Sequence, residues 1–195
     1  MTTSRPTIVG SEAGPEPPYP VRMEGPVIKG FGRGSKELGI PTANMPVDDK
    51  AAPWIADCES GVYFGWAKLG EVPAEATAGA VAAAAVSSPS TTTSPAGLYP
   101  MVMSIGFNPF YNNTSRTAEV HILHDFAGVD FYGAPLRIAI LGYIRPERGD
   151  YASVEALVED IHFDCDVARR SLARPAWTPA GSDGAGTLTV PWLLT

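Results

Sequence analysis

The feature that most constrains this chain is a period of two that gives way, late and once, to a helical period. In segment 99–107, Met101, Met103, Ile105 and Phe107 alternate with Val102, Ser104 and Gly106, the rhythm of a pleated strand. Segment 117–126 repeats it. Ala118, Val120, Ile122, His124 and Phe126 fall on one face, and Glu119, His121, Leu123 and Asp125 on the other. Segments 61–69 and 136–144 are rich in aromatic and β-branched residues and read as further strands. Residues 21–29 begin the series. The period changes at 153–172, where Val154, Leu157, Val158, Ile161, Cys165, Ala168 and Leu172 recur at spacings of three and four. That is one apolar stripe of a helix. Ser153 is placed to cap its start, Glu155 and Glu159 suit the positive end of its dipole, and Arg169 and Arg170 the other. Strands joined by turns, followed by one helix, predict a closed antiparallel barrel rather than a parallel sheet, with the helix packed outside.

The remaining segments organise around that unit. A chain of 195 residues favours one domain. Residues 1–20 carry Pro15, Pro17, Pro18 and Pro20 among Gly, Ser and Glu, with little to bury, and predict a flexible tail. Residues 45–60 are irregular, broken by Pro46 and Pro53. Residues 70–97 are a low-complexity insert of Ala, Ser, Thr, Pro and Gly, read as a long loop joining two strands. Such an insert is tolerated because closure entropy grows slowly with length. The main unit spans 21–175, and 176–195 is an extension that either docks on the core or stays disordered. The 21 acidic side chains outnumber the 14 basic ones, which argues against a nucleic-acid binder. The longest apolar run, near 82–86, is far too short to span a bilayer. The first residues show neither a charged n-region nor an apolar h-region, so the expectation is a chain without a secretory leader, in which Cys58 and Cys165, which could pair, read instead as free thiols of a cytoplasmic protein, with organellar association left open. Nothing demands more than a monomer.

Candidate chemistry concentrates in 30–44. Gly30, Gly32, Gly34 and Gly39 let backbone N–H groups approach a ligand closely, and successive N–H groups in such a loop form an anion-binding concavity. Lys29, Arg33 and Lys36 add positive charge. Thr42 and Asn44 are short oxygen donors of the kind hard cations accept beside phosphate and water. Together they suggest a phosphate loop with a divalent metal. The segment matches neither the Walker nor the dinucleotide pattern, and a Gly-rich loop is also a common surface turn. A second candidate is Glu119, an acid in mid-strand, where an unpartnered carboxylate is unusual. It is either reactive or paired across strands with Arg116 or Arg137. His121 and His124, three apart on a strand, face opposite ways and cannot chelate one ion together.

The same residues carry a resemblance. Val27-Ile28-Lys29-Gly30-Phe31-Gly32-Arg33-Gly34-Ser35-Lys36 followed by Leu38-Gly39-Ile40-Pro41-Thr42-Ala43-Asn44 resembles the start of eukaryotic, fungal-like riboflavin kinases. Gly106-Phe107-Asn108-Pro109-Phe110-Tyr111, Glu119-Val120-His121-Ile122-Leu123-His124, Phe131-Tyr132-Gly133 and Gly142-Tyr143-Ile144-Arg145-Pro146-Glu147 are similar to later motifs of that family, in the same order. The resemblance covers roughly residues 20 to 175. It implies a closed six-stranded antiparallel Greek-key β-barrel with helix 153–172 outside. It implies transfer of the γ-phosphoryl group of ATP to the ribityl 5′-hydroxyl of riboflavin, with Mg²⁺ (Zn²⁺ or Mn²⁺ as alternatives). On this resemblance Glu119 is the general base. Thr42 and Asn44 act at the metal and phosphates, and Lys29, Gly30, Gly32, Arg33 and Lys36 at the nucleotide phosphates. His124, Phe126 and Tyr132 line the adenine pocket, and Arg116 and Phe110 lie toward flavin. Ile40, Met45, Trp66 and Phe107 are further candidates for a flat flavin slot, equally explicable as core. The competing expectation is a flavin-binding barrel without catalysis. A second, nucleotidyl-transferring activity would need another domain, and too few residues remain to build one.

Overall fold

The computed structural model describes residues 5–29, 40–47, 52–72, 97–107, 116–149, 151–182 and 185–195. Six strands organise them: β1 (Val21–Pro26), β2 (Ala43–Asn44), β3 (Gly61–Leu69), β4 (Gly97–Phe107), β5 (Arg116–Ile122) and β6 (Pro135–Pro146). They form one antiparallel sheet in the order β1-β6-β3-β4-β5-β2. Strands β3, β4 and β5 are successive neighbours and β6 returns beside β3, the expected Greek-key arrangement. Closure is less complete than expected. The outer strands meet through one bridge, between Ile28 and Asn44, because β2 is only two residues long and offers no full ladder to β1. The sheet is a curled half-barrel. Leu69 and Gly97 are Cα partners in the β3–β4 ladder, so the insert leaves and re-enters between neighbouring antiparallel strands. Residues 73–96 within it lie outside the described residues.

Alternation places the core. Met101, Met103 and Ile105 of β4, Ala118, Val120 and Ile122 of β5, and Leu136, Ile138 and Ile140 of β6 turn inward with Tyr63, Ala67 and Leu69 of β3. Burying each large aliphatic side chain contributes about 1.5–3 kcal/mol. Phe64, Val102, Ala139 and Leu141 emerge on the opposite face and are buried a second time, under helix α1 (Val154–Leu172) and Trp177. The helix starts where Ser153, in extended conformation, accepts a hydrogen bond from the Ala156 N–H at 3.2 Å. Its C-terminal half is the seated half: Cys165, Ala168 and Leu172 are buried, while Val154 is exposed. Burial pushes the Cys165 thiol up to about 11, and both cysteines are free.

Both ends of the chain pack on this helical side. Residues 5–20 depart from the expectation of a flexible tail. Arg174 donates to the carbonyls of Val9, Gly10 and Ser11 at 2.5, 3.1 and 3.2 Å. The Trp177 indole N–H donates to the Ser11 carbonyl at 2.9 Å. Arg5 pairs with Asp160 and Asp164. The segment has little apolar surface to bury, and polar donors fix its backbone instead. Gly10 takes a φ of +81° and leaves room that the Trp177 ring fills, 2.3 Å from where a Cβ would stand. Described residues of 176–195 pack against the helical side of the sheet. Trp177, Leu188, Val190 and Leu193 are buried, and Pro191–Leu194 form a short helix, α2. Among the described residues no helix is long and apolar enough to cross a membrane.

Candidate active site

The inward turn of Ala118, Val120 and Ile122 obliges Glu119 and His121 to face outward from β5. Strand β2 pairs with β5 so that Asn44 stands opposite Glu119 and Ala43 opposite Val120. On the other flank of Glu119 is Ser104 of β4. One row across three strands therefore reads Asn44, Glu119, Ser104. The turn that delivers Asn44 is tied down locally. His121 Nδ1 lies 2.8 Å from the Pro41 carbonyl oxygen. That oxygen can only accept, so the ring donates from Nδ1 and keeps its lone pair on Nε2. The Ile28 N–H donates to the Asn44 carbonyl at 2.9 Å, and the Met45 N–H to the Ala118 carbonyl at 3.3 Å. Burial lowers the pKa of His121 and outweighs the Pro41 bond, while the charges of Arg169 and His162 on α1 push the same way as burial. This face of β5 thus looks toward the helix.

Asn44 is 8% exposed, and Thr42 beside it is half-buried. The Glu119 carboxyl is raised above its ordinary pKa, first by burial and second by the charge of Glu147. Neither alternative partner reaches it. Arg116 belongs to the inward row, three residues away on an alternating strand, and its guanidinium lies over the Phe107 ring at 4.5 Å. Arg137 stands in the β1–β6 ladder, 3.7 Å from Glu24. Among the described residues, Glu119 has no ion pair. Glu147, just beyond β6, reaches the same face. The Ser104 hydroxyl donates to its Oε1 at 2.8 Å. A Cβ on Gly106 would lie 2.3 Å from both of its carboxylate oxygens, so glycine is what lets it settle there.

A second group gathers at the adjoining end of the sheet. Lys29 directly follows Ile28, whose bridge to Asn44 links the two groups. Its Nζ is 5.6 Å from the centre of the Tyr132 ring. His124 and Phe126 pack on each other at 4.8 Å, on Tyr99 at 4.6 and 5.3 Å, and Phe126 on Phe131 at 4.7 Å. The structure thus brings Thr42, Asn44 and Glu119 together, and Lys29 with Tyr132, beside the His124–Phe126 cluster. Gly30, Gly32, Arg33, Lys36 and Phe110 lie outside the described residues. Ile40 and Met45 are buried at 4% and 2% exposure, and the Trp66 indole N–H donates to the Trp177 carbonyl at 2.9 Å on the helical side. These three are packing residues. A cavity of about 440 Å³ lined by Tyr19, Trp54, Tyr63 and Tyr143 contains none of the expected site residues.

Sequence reasoning missed Ser104, Glu147, Tyr99 and Phe131. Glu147 ends a quoted motif, yet nothing local says that β6 carries it to Glu119. Ser104 has a signal in hindsight: it is the polar residue in the outward row of β4, one step from a glycine. The donor set offers a hydroxyl, an amide oxygen and a nearby carboxylate, and among the described residues no three His, Cys, Asp or Glu side chains converge. Few, hard oxygen donors of this kind fit a divalent cation that shares its coordination with phosphates and water.

The arrangement has counterparts. The family model described as Flavokinase: Riboflavin kinase matches residues 17–172. A protein of Pyricularia oryzae named riboflavin kinase is 59% identical over 93% of this chain and 85% of its own length. One of Chaetomium globosum with the same name is 55% identical over 92% and 83%. The crystal structure of riboflavin kinase from Trypanosoma brucei superposes with a TM-score of 0.57 at 28% identity, covering 83% of this chain and 92% of that one.

Proposed function

This chain belongs to the riboflavin kinase family, and on that footing we propose how its outward face performs the reaction. The enzyme transfers the γ-phosphoryl group of ATP to the 5′-hydroxyl of riboflavin, giving FMN and ADP. Such a transfer asks for neutralised phosphate charge, in-line placement and an acceptor for the hydroxyl proton. Glu119 takes the proton as the hydroxyl oxygen attacks phosphorus. Its raised pKa makes it a stronger base than an ordinary carboxylate, and the absence of an ion pair among the described residues leaves its oxygens available. Thr42 and Asn44, the latter opposite that base, are the residues that would hold a divalent cation such as Mg²⁺, which would neutralise phosphate charge there. Lys29 steadies the phosphates from the adjoining strand end, and Gly30, Gly32, Arg33 and Lys36 are assigned to the same phosphates on the family resemblance. His124, Phe126 and Tyr132, with Tyr99 and Phe131, form the aromatic wall for adenine. Arg116 and Phe110 remain assigned to the flavin side. We take the enzyme to act as a cytoplasmic monomer without nucleic acid.

The observation that carries this reading is the β2–β5 pairing that sets Asn44 opposite Glu119. It unites, on one row, the two residue types the chemistry needs from segments 75 residues apart in sequence (119 minus 44). The test is to incubate purified protein with riboflavin, ATP and Mg²⁺ and follow FMN by chromatography. FMN that requires both ATP and metal is the expected result. Saturable quenching of flavin fluorescence without FMN would instead mean a flavin-binding module without catalysis.

A further inference from the structure

A kinase must release what it has phosphorylated, and here the acceptor changes from neutral to dianionic at the atom that reacts. We propose that Glu147 is a specificity residue of the acceptor side. Its carboxylate, seated by Ser104 over Gly106, disfavours a flavin that already bears a phosphate and so promotes release of FMN. The proposal rests on the reading that Glu119 faces the reacting hydroxyl.

Three observations carry it. Ser104 is the cross-strand partner of Glu119 and donates to Glu147 Oε1 at 2.8 Å, so the second carboxylate is anchored one strand from the first. Gly106 lies one row further along β4, and its missing side chain is the space both Glu147 oxygens occupy. Among the described residues, neither carboxylate is in an ion pair with Lys or Arg, in contrast to Asp160 and Asp164 of α1, which share Arg145. Among the described residues, two negative charges without a Lys or Arg partner thus stand where, on the Glu119 reading, a third develops. Like charges juxtaposed at a binding face select against the wrong partner more than they strengthen the right one. The rise in the Glu119 pKa caused in part by Glu147 is consistent with the two carboxylates sensing each other. Riboflavin carries no charge at the acceptor and loses little by their presence.

The experiment compares Glu147→Gln with wild type. Glutamine keeps an oxygen for Ser104 and removes the charge. Equilibrium binding of FMN and of riboflavin is followed by fluorescence quenching in metal-free buffer without ATP. The wild type is expected to bind FMN more weakly than the variant by about tenfold, with riboflavin changed far less. Raising salt should narrow the gap between the two flavins more in the wild type than in the variant, which keeps only the Glu119 charge, a difference that a structural role would not produce. Gly106→Ala, which evicts the carboxylate, should reproduce the gain for FMN. Unchanged FMN affinity in Glu147→Gln, or a gain shared equally by riboflavin, overturns the proposal whether or not the variant still turns over. Failure of the wild type to make FMN at all is a different result and overturns the underlying site reading.

Discussion

Glu119 and Asp164 are both shielded acids on the outside of the same half-barrel, and their surroundings are opposite. Asp164, 2% exposed, lies between the sheet and α1 with Arg145 Nε at 3.0 and 3.2 Å, a second Arg145 nitrogen at 2.8 Å, and Arg5 beyond. Burial works against the Arg145 charge, but the bonds to Asp164 and the charges of Asp164 and Asp160 outweigh it and leave the arginine pKa raised. That acid is neutralised in place and binds β6, the helix and residues 5–20 into one body. Glu119 has a neutral amide on one side, a hydroxyl on the other, and its strongest charged neighbour is another acid. The fold satisfies the first carboxylate and, among the described residues, gives the second no ion pair. On the proposed reading, this difference separates the acid that serves structure from the one that serves chemistry.

This contrast can be broken by substitution. The largest stability effect is expected at Asp164→Ala, which takes the buried acid from Arg145 and Arg5 and leaves both to Asp160 alone, at a cost of about 3–5 kcal/mol. Denaturant unfolding measures it, and FMN formation below the transition should stay within a few-fold of wild type. Next is Trp177→Ala, which removes a ring stacked on Phe64 at 5.4 Å and the bond to Ser11, with an expected cost of about 3–5 kcal/mol. Glu119→Gln should do the reverse. A carboxyl whose folded pKa is raised contributes stability below its unfolded pKa, and that contribution is lost as pH rises through the folded value. In metal-free, nucleotide-free protein, Glu119→Gln should therefore melt higher than wild type near neutrality, and the gain should vanish as pH falls below 4.5, the ordinary value. A lower melting point near neutrality would mean the carboxylate has a stabilising partner. The smallest effect is expected at Arg137→Ala. Its exposed pair with Glu24 should change unfolding by less than about 0.5 kcal/mol.

Much of this was legible in sequence because period and burial coincide. The alternation of Ala118, Val120 and Ile122 against Glu119 and His121 foretold which face each occupies, and Ser153 foretold the start of α1. The pairing of Asn44 with Glu119 was not legible, since register between distant strands follows from closing the sheet. Nor was the ordering of residues 5–20. Their contacts are carbonyls meeting Arg174 and Trp177, and composition records side-chain hydrophobicity, not the donors that distant residues supply. The incomplete closure escaped for a similar reason: Ala43 and Asn44 fall in the candidate loop 30–44, and their two-residue ladder limits how far β1 and β2 can join.

The central claim is that Glu119 accepts the proton on a face built for phosphoryl transfer. The most direct test is the turnover of Glu119→Gln, measured as FMN formed per enzyme at saturating riboflavin and ATP, with ATP binding measured in parallel. A fall of about 10²–10⁴-fold in kcat with ATP affinity retained is the result expected of a lost general base. Undiminished turnover would contradict the assignment, and with it the division of the outer face into a structural region and a chemical one.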